Sequence, residues 1–81
     1  MEQFEVRLFA SFADIFGSQN VSVSLPRGST VEELAFALRQ MPPGSALPKK
    51  LVVAVNHTYV PSHTVLEPTD EIAVIPPIAG G

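Results

Sequence analysis

The segment that most constrains this chain is residues 30–41, its longest run at helical spacing. Val31, Leu34, Ala35, Leu38 and Met41 recur at three- and four-residue intervals and form one apolar stripe. Thr30-x-x-Glu33 fits a capping box at the start, and so does Ser29-x-x-Glu32. Glu32 and Glu33 occupy the first turn and Arg39 the last, as the helix dipole favours. Pro42-Pro43-Gly44 stops the helix. A helix with one stripe covers one surface, and the remaining segments read as the strands of that surface.

Residues 4–10 alternate, with Phe4, Val6, Leu8 and Ala10 on one face and Glu5, Arg7 and Phe9 on the other. Ser11 is the expected N-cap of a short helix carrying Phe12, Ala13, Ile15 and Phe16, with Gly17 at its stop. Val21, Val23 and Leu25 alternate with serines in a second strand, which pairs with the first as a loosely connected hairpin. Residues 51–55 are continuously apolar, which predicts a central strand covered on both sides. Asn56-His57 turns into a short strand at Thr58-Tyr59-Val60, interrupted by Pro61. A turn at Pro68-Thr69-Asp70-Glu71 leads to a last strand, residues 72–75. The expected architecture is α+β, a β-grasp roll of a mixed four- to five-stranded sheet crossed by one main helix. Residues 1–75 form this domain and residues 76–81 an extended tail.

Composition narrows the chemistry. The absence of cysteine excludes disulfides, thiolate nucleophiles and zinc–thiolate or iron–sulfur sites. Five Lys plus Arg against a net charge of -3 argue against nucleic acid. No apolar run approaches the ~20 residues of a membrane span. Met1-Glu2-Gln3 does not open a signal peptide, so the chain is expected in the cytoplasm. No Gly-rich phosphate loop and no nucleophile elbow is present. His57 and His63 read as turn residues in solvent, without a second ligand type at metal spacing. Lys49-Lys50 reads as solvated loop. The chain is therefore expected to bind no cofactor or metal and not to be an enzyme on its own.

What remains is Pro76-Pro77-Ile78-Ala79-Gly80-Gly81. Two prolines hold the backbone extended. The last four residues reach about 13 Å when extended. Gly80 and Gly81 carry no side chain, so a partner's tunnel can close tightly around them. An unhindered Gly81 carboxylate is then presentable in another protein's active site, although a frayed terminus would read the same way. A carboxylate needs activation before it reacts, and adenylation by ATP is one standard route.

Four stretches resemble a known family in order and spacing. They are Leu8-Phe9-Ala10 with the helix ending at Gly17, Ala54-Val55-Asn56-His57-Thr58, Asp70-Glu71-Ile72-Ala73, and the Pro76–Gly81 tail. The chain is similar to the small, sulfur-carrying subunits of molybdopterin synthase, which are ubiquitin-like β-grasp proteins. The resemblance implies that an adenylating enzyme of the ubiquitin-activating type spends ATP to convert Gly81 to an acyl-adenylate. A sulfur donor then leaves a thiocarboxylate there. The tail inserts into the large synthase subunit and gives its sulfur to a pyranopterin precursor. It further implies a heterotetramer, with Phe9, Tyr59, Ile75, Pro76, Pro77, Ile78 and Ala79 facing the partner. For Phe9, Tyr59 and Ile75, packing within the domain stays open beside that role. Asp70-Glu71 shapes a turn and is a candidate contact for a basic patch on the adenylating enzyme. Sulfur carriage for thiamin or tRNA thiolation, conjugation to a target protein through Gly81, and a plain interaction module are the competing functions.

Overall fold

The computed structural model describes residues 1–42, 44, 47 and 51–75. The elements run β1 (Glu2–Leu8), α1 (Ser11–Phe16), β2 (Asn20–Leu25), α2 (Val31–Gln40), β3 (Val52–Val55), β4 (Thr58–Tyr59) and β5 (Ile72–Ile75). They form one five-stranded sheet in the order β2-β1-β5-β3-β4. β1 and β5 are parallel and every other pair is antiparallel. With α2 across it, this is the β-grasp arrangement expected from the pattern of periods.

The helix-facing side of the sheet is the core. Phe4, Val6 and Leu8 of β1, Val23 and Leu25 of β2, Val53 of β3, and Ile72 and Val74 of β5 are all buried there. They pack with Val31, Leu34 and Leu38 of α2 in one cluster that also includes Phe12, Leu47 and Leu66. Full burial of one such side chain is worth about 1.5–3 kcal/mol, so this cluster sets the stability of a small domain.

Of the two capping boxes the sequence permits, the structure uses Thr30 and Glu33. Glu33 N–H donates to Thr30 Oγ1 at 3.3 Å, and Thr30 N–H donates to Glu33 Oε1 at 2.9 Å. Ser29 is instead buried, its hydroxyl donating to the Pro26 carbonyl at 2.7 Å. The first amides of α2 donate to a distant loop, Val31 to Thr64 O and Glu32 to Ser62 O, both at 2.9 Å. Leu66 N–H returns a bond to Ser29 O at 2.8 Å. This strap satisfies donors that a helix start leaves open and carries Leu66 into the core. Met41 is extended (φ -70°, ψ 143°), as the residue before Pro42 must be, and ends the helix.

Three expectations need correction. Ser11 is not the N-cap of α1; Ala10 is, with no side-chain hydrogen bond, and Ser11 is the first helical residue. Ala10 does not extend the buried face of β1, because the strand ends at Leu8 and Ala10 turns out to solvent. Residues 51–55 are not covered on both sides. α2 covers one face only, and Val52, on the other, is 37% exposed. The central position belongs to β5. Lys49-Lys50 lies outside the described residues.

Gly44 is buried against the end of α2, and a Cβ there would lie 1.8 Å from the Leu38 carbonyl oxygen. That oxygen belongs to the helix backbone and cannot swing away. Gly44→Ala is expected to lose about 1–3 kcal/mol, read as a lower urea midpoint with an unchanged m-value.

Candidate functional site

Among the described residues no helix lies over the side of the sheet away from α2, and strand register decides what that side displays. Arg7 pairs with Ala73, Ala73 with Ala54, and Ala54 with Tyr59. One row of side chains therefore crosses β1, β5, β3 and β4 with two alanines at its middle. A methyl group rises little above the sheet, so the middle of the row is a trough. Glu71 and Ile75 flank Ala73 on the same face of β5, and Phe9 lies two residues beyond Arg7.

Phe9, Tyr59 and Ile75, the three domain residues that the resemblance placed against a partner, all line this trough. Phe9 is 42% and Tyr59 70% exposed, and Ile75 is half-buried. An aromatic pair left open beside an apolar floor is a surface suited to burial by another molecule. The other predicted contacts, Pro76, Pro77, Ile78 and Ala79, and the reactive pair Gly80 and Gly81, lie outside the described residues. Ile75 is the last residue of β5, so the trough sits at the root of residues 76–81.

Two local devices hold the trough's walls. The first is a tight turn after β1. Phe12 N–H donates to Phe9 O at 3.1 Å, and Ala10 between them has φ 51° and ψ -129°. That is the first central position of a type II′ turn, where glycine is the unstrained residue. The turn sends Phe12 into the core and leaves Phe9 on the open face, with the Arg7 guanidinium 5.7 Å from its ring centroid. The second is the β3–β4 turn. Asn56 and His57 have φ of 52° and 71°, a type I′ pair. Asn56 then ties this turn to the start of β5. Its Nδ2 donates to Asp70 Oδ1 at 3.0 Å and its Oδ1 accepts from Glu71 N–H at 3.0 Å. Asp70 Oδ2 accepts from Glu67 N–H at 2.8 Å. His57 Nε2 reaches Glu71 Oε2 at 2.6 Å on the trough's polar rim.

His57 is thus in contact with the Glu71 carboxylate as well as being a turn residue. His63 is exposed. Among the described residues no group of three or more His, Asp or Glu could hold a metal ion. No helix among them is long and apolar enough to cross a membrane. What this face can do is dock a partner.

The profile of the ThiS family matches residues 6–81. The chain belongs to the ThiS family. It is 39% identical over 83 residues to a human protein named molybdopterin synthase sulfur carrier subunit, across 98% of this chain and 94% of that one. Among solved structures it is similar to the small archaeal modifier protein 1 of H. volcanii, with a TM-score of 0.80 and 25% identity, over 96% of this chain and 100% of that chain. It also shares the fold of a chain from the complex of subunits 1 and 2 of molybdopterin-converting factor from Helicobacter pylori, with a TM-score of 0.67 and 22% identity over 98% and 99% of the two chains.

Within this ThiS-family domain, Arg7, Ala54 and Ala73 are trough residues that sequence reasoning did not single out as site residues, whereas Glu71 was expected only as a contact for the adenylating enzyme. Ala54 and Ala73 stand in stretches that carry the family resemblance, but their adjacency follows from register alone. Their signal in the sequence is small size at an outward parity in two apolar strands.

Ala10→Gly tests the turn. Relief of a non-glycine residue at positive φ is expected to raise stability by about 1 kcal/mol or more, read as a higher urea midpoint.

Proposed function

We propose that this chain is the sulfur carrier subunit of a molybdopterin synthase, with Gly81 as the group that carries sulfur. The observation that supports this most is the 39% identity to the human sulfur carrier subunit over nearly the whole of both chains. The trough at the root of the tail adds physical sense. A partner seated on Phe9, Tyr59 and Ile75 holds the domain so that residues 76–81 run directly into that partner's active site.

In this reading the chemistry is stepwise. The Gly81 carboxylate attacks the α-phosphate of ATP on an adenylating enzyme, forming an acyl-adenylate and releasing pyrophosphate. A sulfur donor attacks the acyl carbon, AMP leaves, and Gly81 becomes a thiocarboxylate. On the large synthase subunit the thiocarboxylate sulfur bonds to a carbon of a pyranopterin precursor, displacing an oxygen leaving group, and water hydrolyses the resulting thioester so that sulfur stays on the precursor and the Gly81 carboxylate is regenerated. ATP is consumed on the partner, since this sequence has no Gly-rich phosphate loop. Glu71 on the trough rim is a contact for a basic residue of either partner. In this reading the chain works in the cytoplasm.

A second reading, a protein modifier joined through Gly81 to target lysines, is supported by the likeness to the archaeal modifier protein. Both readings share the adenylation step and part after it.

Incubation with ATP, the adenylating enzyme and sulfide, followed by intact mass and C-terminal fragmentation, tests the first reading. One oxygen replaced by sulfur at Gly81 is expected, and deletion of Gly81 removes it. Localisation separates this change from oxidation of Met1 or Met41. No change at Gly81, with a control carrier active in the same tube, overturns the proposal. Conjugates of high mass that require Gly81 favour the modifier. Tyr59→Ala is expected to keep the fold and weaken capture by the large subunit about tenfold or more, as loss of an interface aromatic does. Titration by calorimetry reads it.

A further inference from the structure

β2 is an end strand of the sheet, and its outer edge offers a short, defined template. Leu8 N–H donates to Gln19 O at 2.8 Å, just outside the β1–β2 register. Antiparallel ladders alternate, so Val6–Val21 and Phe4–Val23 exchange main-chain bonds, while Asn20, Ser22 and Ser24 turn theirs outward. At Asn20 the edge is plugged. Ser18 Oγ donates to Asn20 O at 2.8 Å and accepts from Asn20 N–H at 3.2 Å. At Ser22 and Ser24 no such plug is present among the described residues. Between Asn20 and Leu25 there is no charge and no proline, the usual guards of an edge.

Beside this edge, on the helix side, lies an apolar groove between Leu25 and Phe36–Ala37. Phe36 is 59% exposed. The groove is rimmed by Glu32 and Glu33 near the start of α2 and Arg39 near its end.

We propose that two copies of this chain associate through β2, edge to edge and antiparallel, about a twofold axis at Val23. The register then sets Ser22 opposite the second copy's Ser24, with Val23 facing its own counterpart. Four main-chain hydrogen bonds join two five-stranded sheets into one of ten strands. No like charges meet, because β2 carries none. The same twofold axis sets the two α2 helices antiparallel on one side of the joined sheet. The acidic start of each faces the Arg39 end of the other, and Phe36 of each copy is covered between them. Edge and groove are thus self-complementary under one symmetry operation, as a closed dimer requires. The trough and the root of the tail lie on the opposite side of the sheet and stay open in both copies. On the sulfur-carrier reading proposed above, the pair would present two tails to its partners.

Sedimentation equilibrium from micromolar to millimolar concentration tests this, together with amide exchange by NMR. The average mass is expected to rise toward two chains. Over the same range the Ser22 and Ser24 amides, which face outward in the single chain, gain protection. Ser22→Pro removes an outward N–H without touching the β1–β2 bonds and should weaken association at least tenfold. Phe36→Ser should do the same through the groove, and decides the matter if Ser22→Pro fails to fold. Tyr59→Ala should associate like the parent chain. A single chain at millimolar concentration overturns the proposal. So does a dimer insensitive to both edge variants, or one lost with Tyr59→Ala, which would place the contact on the trough.

Discussion

A single ten-residue helix lies across five strands, and it has apolar surface for only one side of the sheet. Nearly every other feature of the domain follows from that shortage. Val31, Leu34, Ala35 and Leu38 are consumed by the core side, where the strands supply Phe4, Val6, Val53, Ile72 and Val74. Among the described residues nothing of comparable size remains for the far side. That side is finished with a mixture of charge, alanine and a few large residues left in solvent. α1 is too short to help, and its one fully committed residue, Phe12, also goes to the core. A β-sheet covered by one helix on one side leaves its other face open.

The parallel pairing of β1 with β5 decides where that face meets the rest of the chain. Parallel strands run in the same direction, so their ends lie together. Leu8 pairs with Val74, and so the chain leaving β1 at Phe9 emerges beside the chain leaving β5 at Ile75. Everything between is a crossover. The crossover has its own fastening, the strap from Ser62 to Leu66, which supplies carbonyls to the first amides of α2 and a leucine to the core. The trough inherits its rigidity from these connections. Its aromatic wall hangs on the strained turn at Ala10, and its polar rim on Asn56 and Asp70, whose side chains bond across fourteen residues of sequence rather than to solvent alone.

Much of this was legible beforehand because it is local. The Val31–Met41 stripe, the Thr30 cap, the Gly17 stop and the alternation of β1 and β2 are encoded within a few residues of one another. Hence their bounds were close to those observed. The errors came where a local rule met a distant competitor. Ser11 is a good capping residue, yet the turn that must carry Phe9 and Phe12 to opposite sides took Ala10 as its pivot. Residues 51–55 are apolar enough for a doubly covered strand, yet among the described residues no second layer covers them. Ser29 fits a capping box as well as Thr30 does, and only the approach of Leu66 to its carbonyl commits it to burial.

From residue order alone came the set of elements, the one apolar face of the main helix, the lack of cysteine chemistry, and a slim Gly-Gly end suited to activation by another protein. Those depend on side-chain type and on spacing within a single turn or pleat. Which residues become neighbours across the sheet was decided only by the folded chain. Alternation says that Ala54 and Ala73 point away from the helix, but not that they touch. A strand can slide by two residues and keep its buried face. The core, the Asn56–Asp70 fastening and the parallel β1–β5 pair select one register among these. That selection sets two alanines side by side, and with them a trough between Phe9, Tyr59 and Ile75.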